Sequence, residues 1–96
     1  MQDKTFKLCA RVSTSNPDAV EAALRSAVGR GTVSRQKDEF IVVAEMEGVT
    51  SKELNRTLLS RLRRVEKKTR LRSEWTCGGI TERYFDYVLK KTLKTG

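Results

Sequence analysis

The sequence predicts an α+β fold: a ferredoxin-like split β-α-β unit, in the order β-α-β-β-α-β, with an antiparallel sheet and an additional C-terminal helix. Two observations point to this class. Alternating or β-branched apolar runs predict four strands, and apolar residues spaced three and four apart predict three helices. The length of 96 residues, without linkers or repeats in the sequence, predicts a single domain spanning residues 1–96.

The first strand and the first helix follow from clear periodic patterns. In the first strand every second residue is apolar, as expected of a strand with one buried face: Phe6, Leu8, Ala10 and Val12. Asn16 and Pro17 then suit the N-cap and the first position of a helix. Gly29 and Gly31 end this helix. Its apolar stripe is formed by Val20, Ala23, Leu24, Ala27 and Val28.

A hairpin is expected next, with a short polar strand at residues 32–36 and an apolar strand at residues 40–46. The second run is almost continuously apolar, so one of its two faces must point away from the helices. The outward set is either Phe40, Val42 and Ala44 or Ile41 and Val43. An apolar outer face requires a cover, either the last helix or a second subunit, and this favours a homodimer.

The second half of the chain predicts a helix, a strand and a further helix. A capping box at residues 50–53 begins the second helix, whose buried stripe is formed by Leu54, Leu58, Leu62 and Val65. A fourth strand is predicted from about residue 70 to residue 76 by the alternation of Leu71, Ser73 and Trp75 with charged residues. After a turn at two glycines, residues 80 and 81 resemble the start of a last helix with the stripe Phe85, Val88, Leu89 and Leu93.

Positive charge is concentrated in residues 52–72, which hold nine Lys or Arg and two Glu, and so seven of the eight net positive charges of the chain. A local field of this kind attracts phosphates or an acidic partner. Arginine dominates, and its guanidinium forms paired hydrogen bonds with phosphate oxygens. The alternative is a solvated helix face that only keeps the protein soluble. The residues predicted to bind nucleic acid are Arg56, Arg61, Arg63, Arg64, Lys67, Lys68, Arg70 and Arg72.

The aromatic residues are assigned mainly to packing. Strand parity places Phe6 and Trp75 in the core rather than on a base-stacking surface. Tyr84 and Tyr87, on the predicted last helix, either pack at the rim of a dimer interface or stack bases. The two glycines before that helix form a plain turn or, as the weaker alternative, a phosphate cradle.

The composition excludes several kinds of site. The chain has no histidine and two cysteines, which removes Ser-His and Cys-His pairs and the usual four-ligand zinc sites. We expect no cofactor and no enzymatic activity. Reduced, buried thiols are expected at Cys9 and Cys77, with a disulfide between them as the alternative. No apolar run reaches the length of a membrane span, and a cytoplasmic location without membrane contact is expected.

The second helix also carries a family resemblance, at residues 54–65. Over residues 5–66 the chain resembles the small dimerisation subunit of the KEOPS complex, which supports the threonylcarbamoyladenosine modification of tRNA. The resembling positions in the helix are Leu54, Thr57, Ser60, Leu62 and Arg63. The resemblance implies a non-catalytic protein that dimerises and bridges catalytic subunits near tRNA.

Three functions are therefore compared. The first is a small RNA-binding or RNA-associated protein that contacts the phosphates of tRNA or another RNA through its basic helix and strand. The second is the dimerisation or bridging subunit implied by the resemblance, in which the basic helix meets an acidic protein partner. The third is an acylphosphatase-like enzyme using Arg11 and residues 13–15, although the sequence offers no comparable glycine-rich loop.

Overall fold

The computed structural model describes residues 3–29, 31–37 and 39–94. These residues form a six-stranded antiparallel sheet with two helices on one face. The predicted α+β class with an antiparallel sheet is confirmed. The helices are α1 (Pro17–Val28) and α2 (Ser51–Val65). The strands are β1 (Lys4–Ser13), β2 (Gly31–Gln36), β3 (Glu39–Gly48), β4 (Arg70–Cys77), β5 (Ile80–Phe85) and β6 (Val88–Lys94).

The strands lie in the order β2-β3-β1-β4-β5-β6, and each is antiparallel to its neighbours. The strand β1 is central, with Leu8 directly opposite Ala44 of β3 and Trp75 of β4. Along the described chain the elements run β-α-β-β-α-β-β-β. The predicted order β-α-β-β-α-β-α is therefore wrong at its end, and the sheet is wider than the four strands expected.

The core lies between the sheet and the helices. The alternating residues of β1 and β4 point into it, and Phe6 and Trp75 are buried there as predicted. In β3, Phe40 is also in the core, whereas Val43 points to the other side and is 42% exposed. We call this other side the open sheet face, because within the described residues no helix covers it.

Both helices begin where the sequence predicts, with different capping. Pro17 is the first residue of α1, and the side chain of Asn16 makes no capping hydrogen bond. In α2 the hydroxyl of Thr50 accepts a hydrogen bond from the backbone N–H of Glu53, at 3.2 Å, which satisfies one of the free donors of the first turn. The buried leucines of α2 then pack against the core cluster.

The predicted last helix is replaced by a β-meander formed by β5 and β6. Gly78 and Gly79 both have positive φ (59° and 77°), as a two-residue hairpin loop of type I′ requires, and they turn β5 back onto β4. Asp86, with φ of 55°, begins a second two-residue loop between β5 and β6. Each strand folds directly onto the previous one, so the backbone hydrogen bonds are made across the sheet and the helical spacing of the apolar residues is overridden.

The two cysteines are free thiols, as expected, but they are not buried. Cys9 lies between two core residues of β1, so its side chain points to the open sheet face and is exposed. Cys77 is half-buried and lies on the helix side of the sheet. Opposite faces of a sheet do not allow a disulfide between them. Neither helix in the described part of the chain is long and apolar enough to cross a membrane.

Candidate nucleic-acid interface

The predicted cationic residues are divided between two layers of the molecule. Most lie on α2 or the turn after it, but Arg70 and Arg72 lie on β4 and alternate with the buried Leu71 and Ser73. Alternation places Arg70 and Arg72 on the open sheet face, away from the helices. The predicted nucleic-acid ligands therefore form two separate surfaces rather than the single surface expected.

We define the α2 surface as the five predicted ligands that are exposed on the helix and the turn that follows it: Arg56, Arg61, Arg64, Lys67 and Lys68. Arg56 lies 3.5 Å from Glu53, in an exposed pair of little energetic weight. Arg61 approaches Ser26 of α1, at 3.4 Å. For Arg61, Arg64, Lys67 and Lys68, no ion pair with an acid is formed within the residues described.

Arg63 is held inside the structure rather than presented to a ligand. Its Nε donates a hydrogen bond to the carbonyl of Thr69 at 3.0 Å, and its Nη2 lies 3.4 Å from Asp86 Oδ1. Its guanidinium also stacks on the ring of Tyr87, at 5.2 Å from the ring centre. These contacts fix the end of α2 against the β5–β6 turn, so Arg63 has a structural role in this arrangement.

Asp86 is the centre of this contact region. Its carboxylate accepts hydrogen bonds from the backbone N–H of Leu71 and from Nε of Arg70, each at 2.9 Å, besides its contact with Arg63. Its backbone carbonyl accepts a hydrogen bond from Nδ2 of Asn55, at 2.7 Å. One acid thus partly neutralises two of the predicted nucleic-acid ligands.

Asn55 connects α2 to the sheet through a buried polar network that the sequence analysis missed. The side chain is 1% exposed, and its Oδ1 accepts hydrogen bonds from Ser73 Oγ and from Trp75 Nε1, at 2.5 and 3.2 Å. The sequence signal for this role was the position of Asn55, three and four residues before the buried Leu58 and Leu59. Asp86 gave only a weak signal, because its role depends on the turn that replaces the predicted helix.

The open sheet face carries a row of three side chains across β1, β4 and β5. Arg11 lies directly opposite Arg72, and Arg72 lies directly opposite Phe85. The guanidinium carbon of Arg72 is 4.8 Å from the centre of the Phe85 ring, and that of Arg70 is 5.2 Å from it. Cys9, Arg11 and Arg72 line a shallow depression of about 370 Å³, together with Glu74 and Arg83.

The two tyrosines lie on the β5–β6 hairpin rather than on a helix. Tyr84 is buried and its hydroxyl contacts Ser51 Oγ at 3.0 Å, which in turn donates to Glu82. Burial raises the pKa of Tyr84, and the Ser51 hydrogen bond opposes that effect. Tyr87 is exposed, and its hydroxyl lies 3.1 Å from Ser60 Oγ.

Several alternative sites lose their geometric basis. The two glycines at 78 and 79 connect strands, so the phosphate cradle at a helix start is wrong. Of the residues of the acylphosphatase-like site, Arg11 lies on β1, 3.5 Å from Glu39, and Thr14, just after β1, is buried against Thr69. Among the described residues, no group of three or more His, Cys, Asp or Glu could hold a metal ion.

Comparisons with known proteins add no relative. No family model, no curated protein and no solved structure matches this chain. The resemblance to the small KEOPS subunit therefore stays a prediction.

Proposed function

We propose that this protein is a non-enzymatic RNA-binding protein whose α2 surface contacts the phosphate backbone. The observation that carries the proposal is the exposed row from Arg61 to Lys68, in which four cations have no acidic partner within the described residues. Spacing of three along a helix puts Arg61 and Arg64 on neighbouring turns of one side. Such a surface supplies affinity for a polyanion without selecting a base sequence.

The salt dependence of tRNA binding tests this proposal. Fluorescence anisotropy with labelled tRNA, from about 50 to 200 mM salt, should give a linear fall of log affinity with log salt concentration. Each phosphate contact contributes about 0.7 to 0.9 to that slope. The double variant Arg61→Gln/Arg64→Gln should therefore reduce the slope by about 1.4 to 1.8.

A charge-matched control separates the α2 surface from net charge. The double variant Arg25→Gln/Arg35→Gln removes the same charge from α1 and β2, where both arginines already pair with acids. It should leave the slope nearly unchanged. If both double variants lower the salt slope equally, the effect comes from net charge and not from the α2 surface. The absence of salt-dependent binding at about 50 mM salt would contradict the proposal.

A second candidate is the dimerisation or bridging subunit implied by the KEOPS resemblance. It is supported by an exposed apolar patch formed by Tyr87 and the first two residues of β6, Val88 and Leu89, of which Val88 is 54% exposed. In the described sheet β6 is an edge strand, and exposed edges readily pair with another strand. Light scattering at high micromolar concentration should then detect a homodimer, and a strict monomer would contradict self-association.

Two finer statements accompany the proposal. The strand order β2-β3-β1-β4 supports treating residues 4–77 as a ferredoxin-like split β-α-β unit that β5 and β6 extend. The two free thiols, one of them exposed, support a reducing and hence cytoplasmic location. Reaction of both thiols in protein freshly isolated from its host would test the second statement.

A further inference from the structure

The open sheet face gathers arginines around one aromatic ring, on the side of the molecule opposite α2. Arg72 faces Phe85 across the β4–β5 pair, and Arg70 reaches the same ring from two residues away. Phe85 is half-buried, so part of its ring remains accessible. An aromatic ring with two guanidinium groups lying over it is therefore present on the open sheet face, and the ring and the guanidinium planes together form a stacking surface.

One part of this arrangement, the juxtaposition of Arg11 and Arg72, is unfavourable for the protein alone. Arg11 and Arg72 are directly opposite each other, and like charges in that position destabilise a sheet. Arg11 has only an exposed contact of 3.5 Å with Glu39, and the described residues supply no ion pair for Arg72. An anion placed between the two strands would relieve the repulsion.

The charges and the ring together identify the ligand. A second copy of this chain would bring the same arginines against one another, so charge opposes a face-to-face dimer around Phe85. An acidic peptide would satisfy the charges but would leave the ring without a stacking partner. Nucleic acid offers both anionic phosphates and planar bases, and bases stack on phenylalanine rings and on guanidinium planes.

Base stacking also determines the form of the RNA. In a duplex the faces of the bases are covered by neighbouring pairs and cannot reach a ring on a flat sheet, whereas unpaired bases can be splayed onto it. A duplex remains able to contact the α2 surface through its phosphates.

We infer that the open sheet face binds unpaired RNA, with a base stacked on the Phe85–Arg72 pair and an adjoining phosphate contacted by Arg11. The inference rests on the proposed function for the identity of the polyanion. It adds a selection for single strands that the α2 surface does not supply.

Variants of Phe85 test the stacking contact. Binding of an unstructured RNA of about ten nucleotides and of a duplex of the same length is measured by anisotropy. Phe85→Leu should weaken single-strand binding by about 5- to 100-fold and leave duplex binding within about twofold. Phe85→Tyr keeps the ring and should keep the affinity. Equal affinities of the leucine variant and the parent for the single strand would overturn the inference.

Protection of Cys9 provides a second measurement that needs no change at the ring. In the variant Cys77→Ser, Cys9 is the remaining cysteine and is exposed on the open sheet face. Single-stranded RNA should slow its alkylation by iodoacetamide at least about fivefold, and duplex RNA much less. Poly-glutamate serves as the acidic-peptide probe. Stronger protection by poly-glutamate, or no protection by single-stranded RNA, would overturn the inference.

The two proposals fail in different ways. If Arg61→Gln/Arg64→Gln reduces the binding of both RNA forms while Phe85→Leu changes neither, the α2 surface stands and the sheet-face site is wrong. If neither RNA form binds in a salt-dependent manner, the proposed function itself is wrong.

Discussion

Replacing Asp86 by asparagine tests how the β5–β6 turn is attached to the rest of the fold. The carboxylate of Asp86 accepts from the backbone of Leu71 and contacts both Arg63 and Arg70. Asparagine tolerates the positive φ of 55° and keeps one oxygen for Leu71. The oxygen that stays on Leu71 also stays near Arg63 but carries no charge, and the amide NH2 replaces the oxygen that faces Arg70, so both ion pairs are lost.

The burial of each pair sets the size of the effect. The side chain of Arg70 is 57% exposed, so solvent screening limits its pair with Asp86 to about 0.5 kcal/mol. The Arg63 pair, with side chains 29% and 18% exposed, contributes about 1 kcal/mol. Asp86→Asn should therefore lower the free energy of unfolding by about 1.5 kcal/mol. Asp86→Ala also removes the acceptor of Leu71 and strains the backbone, for a loss of about 3 to 4 kcal/mol.

Urea unfolding followed by the fluorescence of Trp75 provides the measurement, because this single tryptophan is 1% exposed when folded. Glu74→Gln is the matched control, since it breaks only the exposed pair with Arg83 and should lower the free energy of unfolding by less than about 0.5 kcal/mol. The reasoning is refuted if Asp86→Asn is no worse than this control, or if Asp86→Ala is no worse than Asp86→Asn.

Although Asp86→Asn should destabilise the fold, it should strengthen RNA binding. Without the carboxylate, Arg70 loses its acidic partner, Arg63 keeps only its contacts with Thr69 and Tyr87, and the net charge rises by one. We expect RNA affinity to increase while stability falls, with the salt slope steeper by about 0.7 to 0.9 for each arginine that reaches a phosphate. An unchanged or lower affinity would show that Asp86 does not restrain these two arginines.

Three further predictions concern stability. Asn55→Ala leaves buried polar groups of β4 and the β5–β6 turn without a partner, and it should lower the free energy of unfolding by about 3 kcal/mol. The control Ser60→Ala, on the same helix, should lower it by less than about 0.5 kcal/mol, and both variants are measured by urea unfolding. Burial raises the pKa of Tyr84, so on raising the pH the unfolded chain loses the tyrosine proton before the folded protein does. The free energy of unfolding should therefore fall as pH rises above about 10, and it should fall less in Tyr84→Phe. Gly31→Ala places a Cβ 2.6 Å from the β3 backbone at φ of 148° and should lower the melting temperature more than Gly78→Ala, where the positive φ is strained but the space is open.

The division of the cations explains why the function could be predicted only in part. The charge of residues 52–72 is a property of the sequence, and the alternation of Leu71 with its neighbours was correctly assigned to a strand. Helix and strand lie in different layers, however, so a basic run that is continuous in sequence reaches two faces in space. The pairing of Asp86 with Arg63 and Arg70 depends on a turn that brings residues more than ten positions apart into contact.

The sequence by itself determined the elements up to residue 77, because strand and helix periodicities are local. It also determined that the core would hold Phe6 and Trp75 and that positive charge would be clustered. Tertiary structure alone decided the last hairpin, because the apolar residues after Gly79 suit a helix or a strand, and the free edge of β4 supplies backbone partners for a strand. It likewise decided which face of β3 is buried and which cations remain exposed, since both depend on contacts between distant residues.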